Sequence, residues 1–141
     1  MATGTPLLRL RSSRSNLGFL AMEFSDWESG VGTTFQTLMA PLSTADRTCR
    51  NGSGAMLALS DQLNASARTA AQWLAANVCP ISDIDDRMTR TLRSYRNLAE
   101  TIETEAKYPV GPDLKELDRE IMSLIGMFAQ TLALMSDRAN P

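Results

Sequence analysis

From Leu114 to Met135 the apolar residues Leu114, Leu117, Ile121, Leu124, Phe128, Leu132 and Met135 recur every three or four positions. That spacing is the repeat of one helix face, not the alternation of a strand. Pro112 suits a first helical turn, where its missing N–H would have had no partner. Asp113 sits where the helix dipole favours an anion, and Arg138 where it favours a cation. The pattern predicts a helix over 112–137. Between Ile121 and Met135 there is no charge, and Met122, Ile125, Met127 and Leu134 fall outside the seam. A helix apolar most of the way round is covered on most sides. The expectation is a central bundle helix, part of whose surface is an interface. Its candidate residues are Ile121, Met122, Ile125, Met127, Phe128, Leu132, Leu134 and Met135.

Three further helical patterns precede it. Phe24, Trp27, Val31, Phe35, Leu38 and Leu42 share a face. Ser25 with Glu28 reads as a capping box, and Pro41 ends or kinks the helix. This places a helix near 25–40, followed by a short turn through about Arg50. Asn51-Gly52-Ser53-Gly54 is a break. Leu59, Leu63, Ala67, Ala70, Ala71 and Leu74 then mark a helix near 54–77, whose alanines allow close approach of a neighbour. Ser82 with Asp85 opens a helix near 83–107 with its seam on Ile84, Met88, Leu92, Tyr95, Leu98, Ile102 and Ala106. The connection Tyr108–Pro112 is short, so this helix and the last form an antiparallel hairpin. The fold class read from these patterns is all-α: a four-helix bundle, or an antiparallel helical hairpin with additional packed helices. The seams are coiled-coil-like in spacing.

Composition adds boundaries. The chain has 141 residues, a net charge of −2 and no histidine. The lack of histidine removes the usual general base and the commonest metal ligand. Residues 1–22 hold Arg9, Arg11 and Arg14 and no acid, whereas all 16 acidic residues follow. We therefore read 1–22 as a basic N-terminal arm and 23–141 as one helical-bundle domain. The arm lacks the continuous apolar stretch of a secretory signal, but its basic, serine-bearing composition leaves organelle targeting open. The last helix is too short in apolar length to cross a bilayer, which takes about 20 residues. The expected compartment is the cytoplasm.

Candidate chemistry is sparse. Arg87, Arg90, Arg93 and Arg96 fan around their helix, since a spacing of three drifts by about 60° per step. A solvated face laced by Asp83–Arg87 and Asp86–Arg90 pairs is expected, with no nucleic-acid contact. Cys49 and Cys79 flank a helix of roughly 33 Å, too long for a disulfide within one chain. They are free thiols, or candidate intermolecular thiols in an antiparallel dimer. No phosphate loop, metalloprotease motif or nucleophile elbow is present. No catalytic, cofactor or metal site is expected.

Two functions remain. The first is a non-enzymatic protein–protein interaction module, an adaptor or a subunit of a homo- or hetero-oligomer. Its partner would be itself or another helical protein, and membrane contact is not expected. The alternative is a small apolar-ligand carrier, with a pocket between helices near Trp73, Tyr95 and Phe128.

Overall fold

A computed structural model describes residues 23–139. The basic arm, residues 1–22, lies outside the described residues, as does the targeting reading that rests on it. The protein is all-α. It comprises α1 (Phe24–Leu42), α2 (Ala45–Cys49), α3 (Ser53–Ala76), α4 (Ser82–Ala106) and α5 (Leu114–Ala139). The four long helices form a bundle in which α1 packs on α3, α3 on α4, α4 on α5, and α5 back on α1.

Neighbours in this ring run antiparallel, and contacts at the two ends of the bundle show it. At one end the Trp27 indole N–H of α1 donates to the Asn77 carbonyl just beyond α3, at 2.8 Å. At the same end Arg138, late in α5, pairs with Asp83 at the start of α4, at 2.7 Å. At the other end Arg50, just after α2, grips Asp118 near the start of α5 through both terminal guanidinium nitrogens, at 2.6 and 3.2 Å. The short α2 closes this second end, packed on α3 and α5.

Most residues of the seams expected from spacing are buried, while Phe24, Ala71, Leu74 and Leu114 are half-buried. Trp27, Val31, Phe35, Leu38 and Leu42 of α1 meet Leu59, Leu63, Ala67 and Ala70 of α3. With them lie Ile84, Met88, Tyr95, Leu98 and Ile102 of α4, and Leu117, Ile121, Leu124, Phe128 and Met135 of α5. Small side chains let α3 and α4 come close enough for the buried Ser60 hydroxyl to donate to the Ala99 carbonyl across the interface, at 2.8 Å.

Local details differ from expectation in four places. The seam position in the penultimate turn of α5 is Thr131, which is buried, and not Leu132, which is 45 % exposed. Steps of 4, 3, 4, 3 and 4 from Leu117 continue to Thr131 and Met135. The Thr131 hydroxyl satisfies itself on the Met127 carbonyl at 2.9 Å, so its burial leaves no orphan. The second difference is at the start of α5, which begins two residues after Pro112. Asp113 is the cap: its Oδ1 accepts the Glu116 N–H at 3.0 Å, while its own N–H donates to Glu105.

Third, the Ser25 and Ser82 capping boxes do not form. The chain enters α1 at Glu23 and α4 at Ile81, without a side-chain cap at either. Fourth, the Asp83–Arg87 and Asp86–Arg90 pairs are not made, and Arg138 from α5 holds the Asp83 carboxylate instead. Pro41 is accommodated in the last turn of α1, one residue before the helix ends. Gly52 introduces α3 with φ at +102°, a left-handed backbone that explains a glycine there.

Candidate functional site

The candidate interface residues on α5 separate into two sets. Ile121, Phe128 and Met135 are buried in the bundle, with Phe128 fully enclosed. The Phe128 ring meets Phe35 edge-on at 5.7 Å and Tyr95 edge-on at 6.3 Å. These side chains hold the protein's own helices together and are not presented to a partner. Met127 and Leu134 are half-buried on the flank towards α4, where Met127 lines the α4–α5 groove.

Met122, Ile125 and Leu132 lie on the opposite flank and outward. At about 100° per residue, Met122, Ile125, Ala129, Leu132 and Ser136 make one stripe of their own. Met122 is 65 % exposed and Leu132 45 %, while Ile125 is half-buried and Ala129 is exposed. So α5 carries a complete core seam and, beside it, further apolar surface of which Met122 and Leu132 are exposed among the described residues, while Ile125 packs against the core.

Trp73, Tyr95 and Phe128 are not brought together. Trp73 packs on α1 at Gly30 and faces the Trp27 ring at 6.1 Å. Tyr95 donates its hydroxyl to the Leu38 carbonyl at 2.9 Å. Gly30 and Leu38 are separated by about 12 Å along α1 at 1.5 Å per residue. Tyr95 and Phe128 are fully buried and meet edge-on in the core. The hollows among the described residues are surface grooves between helices instead. One of about 360 Å³ lies between α3 and α4.

Cys49 and Cys79 stand at opposite ends of α3, whose 24 residues span about 36 Å. Both are buried and free. Burial pushes the Cys79 thiol up to about 12, and its S–H donates to the Ile81 carbonyl. Burial also raises Cys49, helped by the Asp118 carboxylate. As the chain stands, neither sulfur is offered to a second chain.

The four arginines of α4 are open. None of Arg87, Arg90, Arg93 and Arg96 takes part in an ion pair among the described residues. Arg87 and Arg90 border a small α4–α5 groove with Thr91, Met127, Gln130 and Thr131. Arg93 and Arg96 border the larger α3–α4 groove with Ala71, Leu74, Thr89, Leu92 and Asn97. Spacing alone misses that groove, because Ala71, Leu74 and Leu92 read as ordinary core. The available signal is the run from residue 62 to 82, which contains no acid.

Among the described residues, no three His, Cys, Asp or Glu side chains cluster as metal ligands do, and no helix is long and apolar enough to cross a membrane. Comparison with known proteins adds no relative: no family model, no curated protein and no solved structure matches this chain.

Proposed function

We propose that this protein is a helical interaction module, an adaptor or oligomer subunit that associates through the outer stripe of α5. The observation that carries this reading is the duplication of apolar surface on one helix. The inner seam is fully used by the bundle. Met122, Ile125 and Leu132 add a second stripe over about 15 Å at 1.5 Å per residue, and among the described residues Met122 and Leu132 are exposed on it. Desolvating side chains of this size is favourable by about 1.5–3 kcal/mol each. A methionine and a leucine in such a stripe suit a helix-on-helix contact with a second copy of the chain or another helical protein.

The test is the solution mass by light scattering over a tenfold range of concentration, with and without reductant. Wild type is to be compared with Met122→Lys and Leu132→Lys. The expected result is a reductant-independent assembly that both lysine variants disperse while their helix content stays unchanged. A monomer throughout directs the stripe to a different protein. An assembly indifferent to both substitutions would remove α5 as the interface.

A further inference from the structure

A second surface, on the opposite side of α4 from α5, has a chemistry that the α5 stripe lacks. The α3–α4 groove has an apolar floor of Ala71, Leu74 and Leu92 and a cationic border of Arg93 and Arg96. Arg68 precedes Ala71 by three residues on α3 and is exposed. Residues three apart are neighbours on a helix surface, so Arg68 lies beside Ala71 on α3, outside the residues that line the groove. None of Arg68, Arg93 and Arg96 has an ion-pair partner among the described residues. No carboxylate lines the groove. The nearest ones along α4 are Asp85 and Asp86, about one turn before Thr89, and Glu100, one turn after Arg96.

Three and four residues from Arg93 on α4 stand only Thr89, Arg90, Arg96 and Asn97, so its own helix offers it no acid. Glu100, four residues after Arg96, makes no ion pair with it. The result is two unpaired cations bordering an apolar trough.

We propose that the α3–α4 groove is the docking site for an acidic amphipathic helix of a partner protein. Apolar side chains of that helix rest on the Ala71–Leu74–Leu92 floor, and carboxylates on its flanks pair with Arg93 and Arg96. Charge complementarity selects an acidic partner, and the apolar floor selects an amphipathic one. A nucleic acid fits less well. The chain is net negative, at −2, so a long polyanion meets repulsion outside the groove. The arginines also circle the helix and do not follow one phosphate row. A bilayer surface is flat, whereas this site is a trough between two helices. The site is independent of the α5 stripe and stands whether or not the chain self-associates.

The experiment measures fluorescence anisotropy of a labelled synthetic helical peptide with leucines on one face and glutamates on both flanks, titrated with the full chain. A matched peptide carries glutamine in place of glutamate. Binding of the glutamate peptide is expected to weaken at least about tenfold for the glutamine peptide and for the doubly substituted Arg93→Glu, Arg96→Glu chain. It should also weaken between about 50 and about 300 mM salt, as screening shortens the range of the charges. Arg87→Glu with Arg90→Glu, on the other groove, should change it less than about twofold.

Equal binding of the two peptides would overturn the proposal, as would unchanged binding by the Arg93, Arg96 variant or no binding up to about 1 mM chain. Loss of binding in Leu132→Lys with retention in the Arg93, Arg96 variant would overturn it and place the peptide on α5. Preferential capture of a single-stranded oligonucleotide or of anionic phosphatidylserine vesicles, abolished by the same arginine substitutions, would reassign the groove to that ligand and overturn the proposal equally. Circular dichroism of each variant checks that the bundle is intact.

Discussion

Gly30 and Trp73 touch so closely that a β-carbon built on Gly30 would stand 2.6 Å from the Trp73 ring edge. The glycine is therefore a packing requirement of the α1–α3 contact. Gly30→Ala is expected to destabilise the protein by about 1 kcal/mol, because overpacking costs about 1–3 kcal/mol and outweighs a helix-propensity gain of up to about 1 kcal/mol. Gly32, two residues on, has nothing among the described residues within 4 Å of the same position. Gly32→Ala keeps the propensity gain and should stabilise by up to about 1 kcal/mol. Urea unfolding of the two variants reads the difference in sign directly, and two shifts of the same sign would refute this account of Gly30.

Tyr95 joins α4 to α1 through a buried hydroxyl, which donates to the Leu38 carbonyl. Tyr95→Phe keeps the ring against Phe128 and removes the hydroxyl. The expected cost is about 1 kcal/mol. Phe128→Ala, which empties the centre of the core, should cost about 3–5 kcal/mol. A smaller loss for Phe128→Ala than for Tyr95→Phe would mean the aromatic cluster is not the centre of stability.

The helix seams are legible in the sequence because burial and spacing are the same fact seen twice: Trp27, Val31, Phe35, Leu38 and Leu42 can face one way only if the segment is a helix. The links between helices are not legible. That Arg138 reaches Asp83, and not Arg87, depends on where α5 ends relative to α4, which no local spacing contains. Spacing favours Leu132 over Thr131 because a threonine reads as polar until its hydroxyl is seen to close on Met127. The arginines of α4 are visible in the sequence, but their freedom is not. For Arg87 it follows from the competing hold of Arg138 on Asp83 in three dimensions. The apolar excess on α5 is legible as a total, while its division into buried and exposed residues requires the neighbouring helices.

The buried thiols set an alkaline limit. Cys79 is pushed up to about 12 in the fold against an ordinary 9.0, chiefly by burial. The unfolded chain therefore releases this proton first. Stability present below pH 9 is lost progressively as pH rises from about 9 towards about 12. The Cys79→Ala variant should show a shallower decline over that interval. At pH 8 both thiols of the native protein should react with a disulfide reagent far more slowly than those of the urea-unfolded chain. Fast native labelling of either one would contradict its burial.

The acid side depends on Asp118. The Arg50 guanidinium hydrogen-bonded to it holds its carboxyl below the ordinary 3.8. A carboxyl with a depressed folded value contributes above its unfolded value and ceases to contribute as pH falls through the folded one. The Asp118→Asn variant should therefore melt slightly below wild type at pH 7 and equal to it near about pH 2. Added salt should narrow the gap at neutral pH, since the pair is exposed to solvent. A gap that persists unchanged at low pH would show that the asparagine acts by something other than charge.

Both of the chain's tryptophans stand at one end of the bundle. Trp27 is hydrogen-bonded to Asn77, and Trp73 lies 6.1 Å from it, ring centre to ring centre. The far end, with α2, Gly111 and the start of α5, contains no indole. Intrinsic emission is consequently a local gauge, bright at the Trp27 end and blind to fraying at the Arg50–Asp118 end. A melting curve followed by fluorescence and one followed by backbone dichroism thus observe different parts of the same molecule, and their coincidence or separation reveals whether the bundle comes apart as one unit.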